Sequence, residues 1–269
     1  MARRNWNRVF VTGGTSFLGL RVIAALIELG ADVTVLVRPE SEDRLGALRR
    51  HVRLVSGNVW DRASLKGRSR GHGAVVHLVG SIHAQPERGL TFQQLNLVSA
   101  RNAISMAVSD GVPYFVLLSA VSKPLGVSVE YLRAKREAED YLRGSGLVWT
   151  IVRAPLLFDP AQRGGALFSA LSAIGGLPLL RILTGRRTPL PVDVAGRGIA
   201  HLALQEELPP SRRVYAGELR RLGRVRRSRR ARDTAPTPGH PSPGHTAGDW
   251  PEDEVPFGWL PGPPRRDDR

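Results

Sequence analysis

The chain has 269 residues, no cysteine, 42% hydrophobic residues and a formal net charge of +15 at pH 7. That length suits one large core, or a core with a small lobe, and the composition is ordinary for a globular protein. The missing cysteines exclude disulfides and thiolate metal sites. The longest apolar run, 166–180, is broken by Ser169, Ser172, Gly175, Gly176 and Pro178 and falls short of a membrane span.

In chain order, MARRNWNR leads into the first strand-like run without an apolar signal region, so a cytoplasmic protein is expected. Residues 9–19 read VFVTGGTSFLG and an amphipathic stretch follows at once. A strand that passes through a glycine-bearing turn into a helix is the context of a dinucleotide-binding turn. Glycine lets the backbone bend sharply and approach a pyrophosphate, and the helix N-terminus offers unpaired N–H groups to the anion. Gly13, Gly14 and Gly19 supply the glycines, and Thr15, Ser16, Phe17 and Leu18 complete the turn. Apolar strand-like runs then recur at 31–38, 51–56, 73–79, 113–119 and 147–154, with helical periodicity at 17–29, 41–50, 91–109, 129–143 and 193–206. Six continuous apolar strands alternating with helices predict an α/β, Rossmann-type doubly wound parallel sheet, whose ligands bind outside the carboxyl ends of the strands.

The strand ends therefore carry the candidate site. The second strand ends on Arg38, where an acid would read the ribose 2′-hydroxyl of NAD and an arginine can pair with a 2′-phosphate, so NADP is expected ahead of NAD. Asn58 and Val59, at the end of the third strand, suit the amino group and face of an adenine, and Asp61 is a helix N-cap candidate. Leu78, Val79 and Gly80 end the fourth, where a small residue admits a ribose. Tyr131 and Lys135 share a helix face at i and i+4, so phenol and ammonium project together and the cation favours phenolate. His77 is read as a packed strand residue, and the other histidines have no metal spacing. Glu137, Glu139 and Asp140, with Arg133, Arg136 and Arg143, read as a solvated charged helix face.

TGGTSFLG at 12–19, GNVWD at 57–61, HLVG at 77–80, LLSA at 117–120, YLRAK at 131–135 and TIVRAPLLFDP at 150–160 together resemble the short-chain dehydrogenase/reductase superfamily over residues 8 to about 206. The likeness is to its extended and atypical branch, which contains nucleoside-sugar epimerases/dehydratases and the nucleotide-binding accessory subunit of respiratory complex I. The resemblance implies a bound NAD(P) and hydride transfer with Tyr131 as general acid/base, Lys135 as its electrostatic partner and ribose ligand, Asn96 in a water relay, and Pro155 near the nicotinamide. It also implies a catalytic Ser/Thr, which falls at Ala120; Ser119 is one position early and, by strand alternation, points away unless the strand end bends. Ser16 stands where the family commonly has glycine, and its N–H and hydroxyl can donate to phosphate. These departures keep a second expectation open, a non-catalytic NADP(H)-binding scaffold or sensor.

Residues 1–215 are expected to form the nucleotide-binding domain, with a small substrate-side cap at about 160–215 for an unidentified small molecule. Residues 216–269 lose apolar periodicity from about Leu219 and become rich in Arg, Pro and Gly, the composition of a disordered tail. Arg220 to Arg232 holds eight arginines and no acid, a run that can attract polyanions, but nucleic acid is not the expected partner. With 36 arginines against three lysines, the chain also fits a GC-rich gene whose last segment is read out of frame. The sequence carries no expectation about oligomeric state.

Overall fold

The computed structural model describes residues 6–121, 128–161, 188–204 and 207–224. Seven strands form one parallel sheet: β1 (Arg8–Thr12), β2 (Asp32–Val37), β3 (Arg53–Ser56), β4 (Ala74–His77), β5 (Tyr114–Ala120), β6 (Val148–Ala154) and β9 (Arg212–Tyr215), in the order β3-β2-β1-β4-β5-β6-β9. A separate parallel pair is formed by β7 (Leu157–Phe158) and β8 (Leu190–Pro191). The α-helices are α1 (Phe17–Glu28), α2 (Arg62–Leu65), α3 (Ser99–Ser109), α4 (Val129–Arg143), α5 (Val192–Ala203) and α6 (Ala216–Gly223). Central strands are buried on both faces, and alternate residues feed two cores. Val9, Val11, Val76 and Leu118 join α1, α5 and α6, while Phe10, Val75, Phe115 and Leu117 join α3 and α4. The doubly wound α/β fold expected from the strand–helix alternation is thus the fold observed.

Three elements differ from the sequence expectation. The stretch expected as a helix at 41–50 is a 3-10 run, Pro39–His51, broken at Gly46, whose φ is +51°. Only Ser41 and Leu45 are buried in it, so no apolar stripe stabilises a full α-helix. The 91–109 stretch begins as a π-helical segment, Gln93–Val98, before α3, a distortion frequent at functional sites. β9, RRVY, has no apolar run because it is an edge strand that buries Val214 alone.

The boundary expected at 215 falls inside the packed unit. α6 continues β9 directly, and Ala216, Leu219 and Gly223 are buried. Its contact with α5 is close: a Cβ on Gly198 would stand 2.8 Å from the Leu219 carbonyl oxygen. Residues 192–204, placed in the substrate-side cap by the sequence reading, pack instead on α1 as part of the main core. Residues 162–187 of that cap, which include the apolar run at 166–180, and the sequence beyond Arg224 lie outside the described residues. Among the described residues no helix is long and apolar enough to cross a membrane.

Candidate functional site

The strand order reverses between β1 and β4, and the carboxyl ends of these two strands open into a cleft of about 720 Å³, part of it open to solvent. Thr12, Gly13, Thr15 and Ser16 line it from the first turn; Val37, Arg38 and Ser41 from the end of β2; Asn58, Val59 and Trp60 from the end of β3; and Leu78, Val79, Gly80 and Ser81 from the end of β4. The turn is built for close approach. Gly13 has φ +76°, and a Cβ on it would come within 2.8 Å of the Val79 nitrogen. Phe17 and Leu18 send their side chains into the core and leave their backbone N–H groups at the start of α1.

Ser16 lines the cleft with its hydroxyl and N–H already bonded within the turn. It is the N-cap of α1: its hydroxyl donates to the Gly13 carbonyl at 2.8 Å and accepts from Gly19 N–H at 3.1 Å, and its own N–H also goes to Gly13. Asn58 is similarly engaged, its Oδ1 accepting from Trp60 N–H at 3.0 Å in an Asx turn. Asp61 caps α2 as expected, accepting from Ala63 N–H. Arg38 faces the cleft with its guanidinium 5.7 Å from the Trp60 ring centroid, and it has an acidic neighbour that the strand-end reading overlooked: Glu40 Oε1 lies 3.4 Å from Arg38 Nη1.

At the inner end of the cleft Gly80 has φ +153°, and the place its Cβ would take is 2.5 Å from both Asn96 Oδ1 and Lys135 Nζ. Only glycine fits there, because the polar ends of a π-helical asparagine and an α4 lysine close on its backbone. Asn96 donates to the Ser81 carbonyl at 3.0 Å. Lys135 Nζ donates to the Leu118 carbonyl at 3.2 Å and lies 6.0 Å from the Tyr131 ring centroid, so the i and i+4 spacing does bring the pair together. Both side chains are fully buried, and Phe92 meets Tyr131 edge-on. Burial pushes the Tyr131 hydroxyl well above the usual phenol range against the opposing charge of Arg136. Burial also pulls Lys135 down to about 7, opposed by Glu139 and assisted by Arg136. Beneath them His77, also fully buried, bonds Thr12 Oγ1 at 2.8 Å and is pulled to about 3 by burial and the charge of Lys135.

Ser119 does not join this group. Its hydroxyl donates to Glu139 Oε1 at 2.6 Å, one helical turn beyond Lys135, while Ala120 points to the opposite face of β5, into the core that holds Tyr131. Strand alternation puts them on opposite faces, and β5 stays regular to Ala120 in its pairing with β6. Pro155 is buried after β6 and, like the buried Tyr131, Lys135 and Asn96, is not among the residues that line the cleft. The reading of α4 as a solvated charged face also fails for one residue: Glu139 is wholly buried, with Arg153 Nη2 at 2.6 Å and Arg136 as a further partner. The signal was present in the sequence, since Tyr131, Lys135 and Glu139 fall at i, i+4 and i+8 on the same stripe as Ala134, Ala138 and Leu142.

A parallel sheet with a glycine turn at its reversal and a cleft at the carboxyl ends of its strands defines a nucleotide-binding Rossmann protein. The chain belongs to the NAD(P)H-binding family, which it matches over residues 13–176. It is 30% identical over 156 residues to a ceramide reductase of Caulobacter vibrioides, covering 57% of this chain and 47% of that protein. It is 28% identical over 164 residues to a chloroplastic divinyl chlorophyllide a 8-vinyl-reductase of Oryza sativa subsp. indica, covering 56% and 40%. The chain thus spans about half the length, or less, of these curated relatives. Among solved structures, the Bordetella bronchiseptica enzyme WbmH in complex with NAD+ superposes with a TM-score of 0.57 at 20% identity, over 78% of this chain and 75% of that one. An NADPH-dependent quinone oxidoreductase of Escherichia coli does so with 0.53 at 19% identity, over 77% and 67%. Both share the fold.

Proposed function

We propose that this chain is an NAD(P)H-dependent reductase acting on a carbonyl-bearing small molecule, with Tyr131 as proton donor. The observation that carries the reading is the burial of Tyr131 and Lys135 together behind Gly80, at the inner end of the cleft. The cleft fits a dinucleotide: Gly13 and Gly80 leave cradles that a Cβ would fill, and the α1 N-terminus faces the turn between them. Gly13, Thr15 and the N–H groups of Phe17 and Leu18 would hold the pyrophosphate, Arg38 a 2′-phosphate, Val59 the adenine face, and Lys135 the nicotinamide ribose. When bound, the cofactor supplies a hydride to the substrate carbon.

The residues then have a proton to supply. Because burial raises its pKa, Tyr131 keeps its proton at neutral pH and acts as the acid toward the substrate oxygen, the reductive direction. A protonated Lys135 lowers the cost of the phenolate left behind, so turnover should decline as pH rises through about 7. Arg38 supports NADPH over NADH, while Glu40 opposes a 2′-phosphate and narrows the preference.

Ala120 favours a second reading, a protein that binds the dinucleotide without turnover, because no hydroxyl on that face of β5 polarises a carbonyl. The test gives purified protein NADPH with a panel of ketones, aldehydes and quinones and follows the nicotinamide absorbance. Tyr131→Phe should lose turnover by about two orders of magnitude with NADPH binding intact. Lys135→Ala should weaken both. Firm binding of NADPH by the wild type with no oxidation across the panel, and no measurable effect of Tyr131→Phe, would replace the catalytic reading by the structural-cofactor one.

A further inference from the structure

Glu139 has no part in the reaction just described, yet it is the most heavily bonded side chain near it. Its carboxylate is fully buried and accepts from Ser119 Oγ at 2.6 Å on β5, from Arg153 Nε at 3.0 Å and Nη2 at 2.6 Å on β6, and from Arg136 on its own helix. Arg136 continues the clamp with a 2.7 Å bond to the Ala120 carbonyl at the end of β5. Stability does not by itself account for such a cluster, since exchanging a buried ion pair for well-packed apolar residues is often neutral or stabilising.

The charges around Lys135 do account for it. From β4 the group facing the ammonium is His77, which is neutral; from the π-helical segment it is Asn96; from β5 it is the Leu118 carbonyl. On α4 itself Tyr131 is neutral, Arg136 is a cation, and Glu139 stands one turn beyond Lys135 on the same buried stripe. Arg153 of β6 reaches this neighbourhood through Glu139 and adds a second guanidinium. Among the described residues named here Glu139 is therefore the one anion, paired with two arginines and one helical turn from Lys135. We infer that Glu139 is a positioning residue for the Tyr131–Lys135 pair: a clamped carboxylate that locks α4 onto the ends of β5 and β6 and supplies the negative charge one turn from the Lys135 ammonium.

The directions of the acid–base shifts agree. Burial pushes Glu139 up, but the hydrogen bonds of Arg153 and Ser119 and the charges of Arg136 and Arg153 hold it below the usual carboxylate range. It is ionised wherever Lys135 titrates, and its charge opposes the effect of burial and of Arg136 on Lys135. The inference deepens the proposed function, since it matters to turnover only if Lys135 supports Tyr131.

The chain has three lysines, Lys66, Lys123 and Lys135, so protein labelled with 13C at lysine Cε gives three signals, and Lys135→Met assigns the one of interest. The pH titration of that signal is the readout in the full-length chain. Glu139→Gln should lower the proton affinity of Lys135 by about tenfold or more, Arg136→Met should raise it, and Glu139→Asp, which keeps the charge, should return most of the wild-type midpoint. A purely structural role would move all three in one direction or not at all. An unchanged Lys135 midpoint in folded Glu139→Gln overturns the inference, and if that variant does not fold, an unchanged or lowered midpoint in Arg136→Met does so instead. An NADPH fluorescence titration of the wild type separates the two claims: no binding removes the proposed function, while the lysine titration still decides the role of Glu139.

Discussion

Acid should weaken this protein well above the pH at which carboxylates protonate, and His77 is the reason. The ring is fully buried between β1 and β4, its Nδ1 paired with Thr12 and its Nε2 without a hydrogen-bond partner, and its pKa is depressed from 6.5 to about 3. The unfolded chain accepts a proton on this histidine below about 6.5 and the folded chain refuses it until about 3, so stability is full above 6.5 and falls as pH drops through that window. At 1.36 kcal/mol per pH unit the loss is about 2 kcal/mol at pH 5 and approaches about 5 kcal/mol at pH 3. Burial also lowers His72 and His201, so they add in the same direction. Glu139, whose pKa is depressed as well, adds its own loss only as pH falls through the carboxylate range, so the assay is kept above pH 5. Urea unfolding at fixed pH between 7.5 and 5 should show the midpoint falling by roughly 1 M. His77→Asn puts an amide where Nδ1 meets Thr12. It should be less stable at pH 7.5, because the ring leaves a void, and should lose most of the pH dependence. A wild-type midpoint that is flat over this range, or an equal slope in His77→Asn, would refute the assignment of a buried neutral imidazole.

Two further outcomes follow from elements that the sequence reading placed differently. Glu40→Gln removes the anion beside Arg38 and should raise NADPH affinity about two- to fivefold, the worth of an exposed ion pair, with NADH unchanged, while Arg38→Ala should erase the preference; quenching of tryptophan emission, with Trp60 lining the cleft, reports both. Equal effects of Glu40→Gln on the two cofactors would detach Glu40 from the 2′ position. Ending the chain after Gly217 removes Leu219 and Gly223 from the core, so it should cost about 3 kcal/mol and lower Tm by about 10 °C; an unchanged Tm would mean that α6 contributes nothing to the folded unit.

Much of the fold and the outline of the site were legible from local signals. A glycine turn between an apolar strand and an amphipathic helix declares itself because positive φ and an uncovered helix N-terminus are properties of a few consecutive residues. The strand–helix alternation that defines the parallel sheet is equally local, and i, i+4 spacing alone puts Tyr131 and Lys135 on one face. Even the orientation of Ser119 followed from the two-residue period of a strand. Tertiary structure decided what depends on partners distant in sequence. RRVY becomes a strand because the edge of β6 is available to it, and residues 216–223 become part of the core because Gly198 of α5 and Gly223 of α6 let the two helices approach closely. Ser16 reads as a phosphate donor and Asn58 as a partner of an adenine amino group, and only the folded turns show both side chains bonded to nearby backbone. Glu139 reads as one more charge on a charged helix until α4 docks and brings Arg153 and Ser119 against it, for the sequence fixes which residues share a helix face, and only packing fixes which face is removed from water.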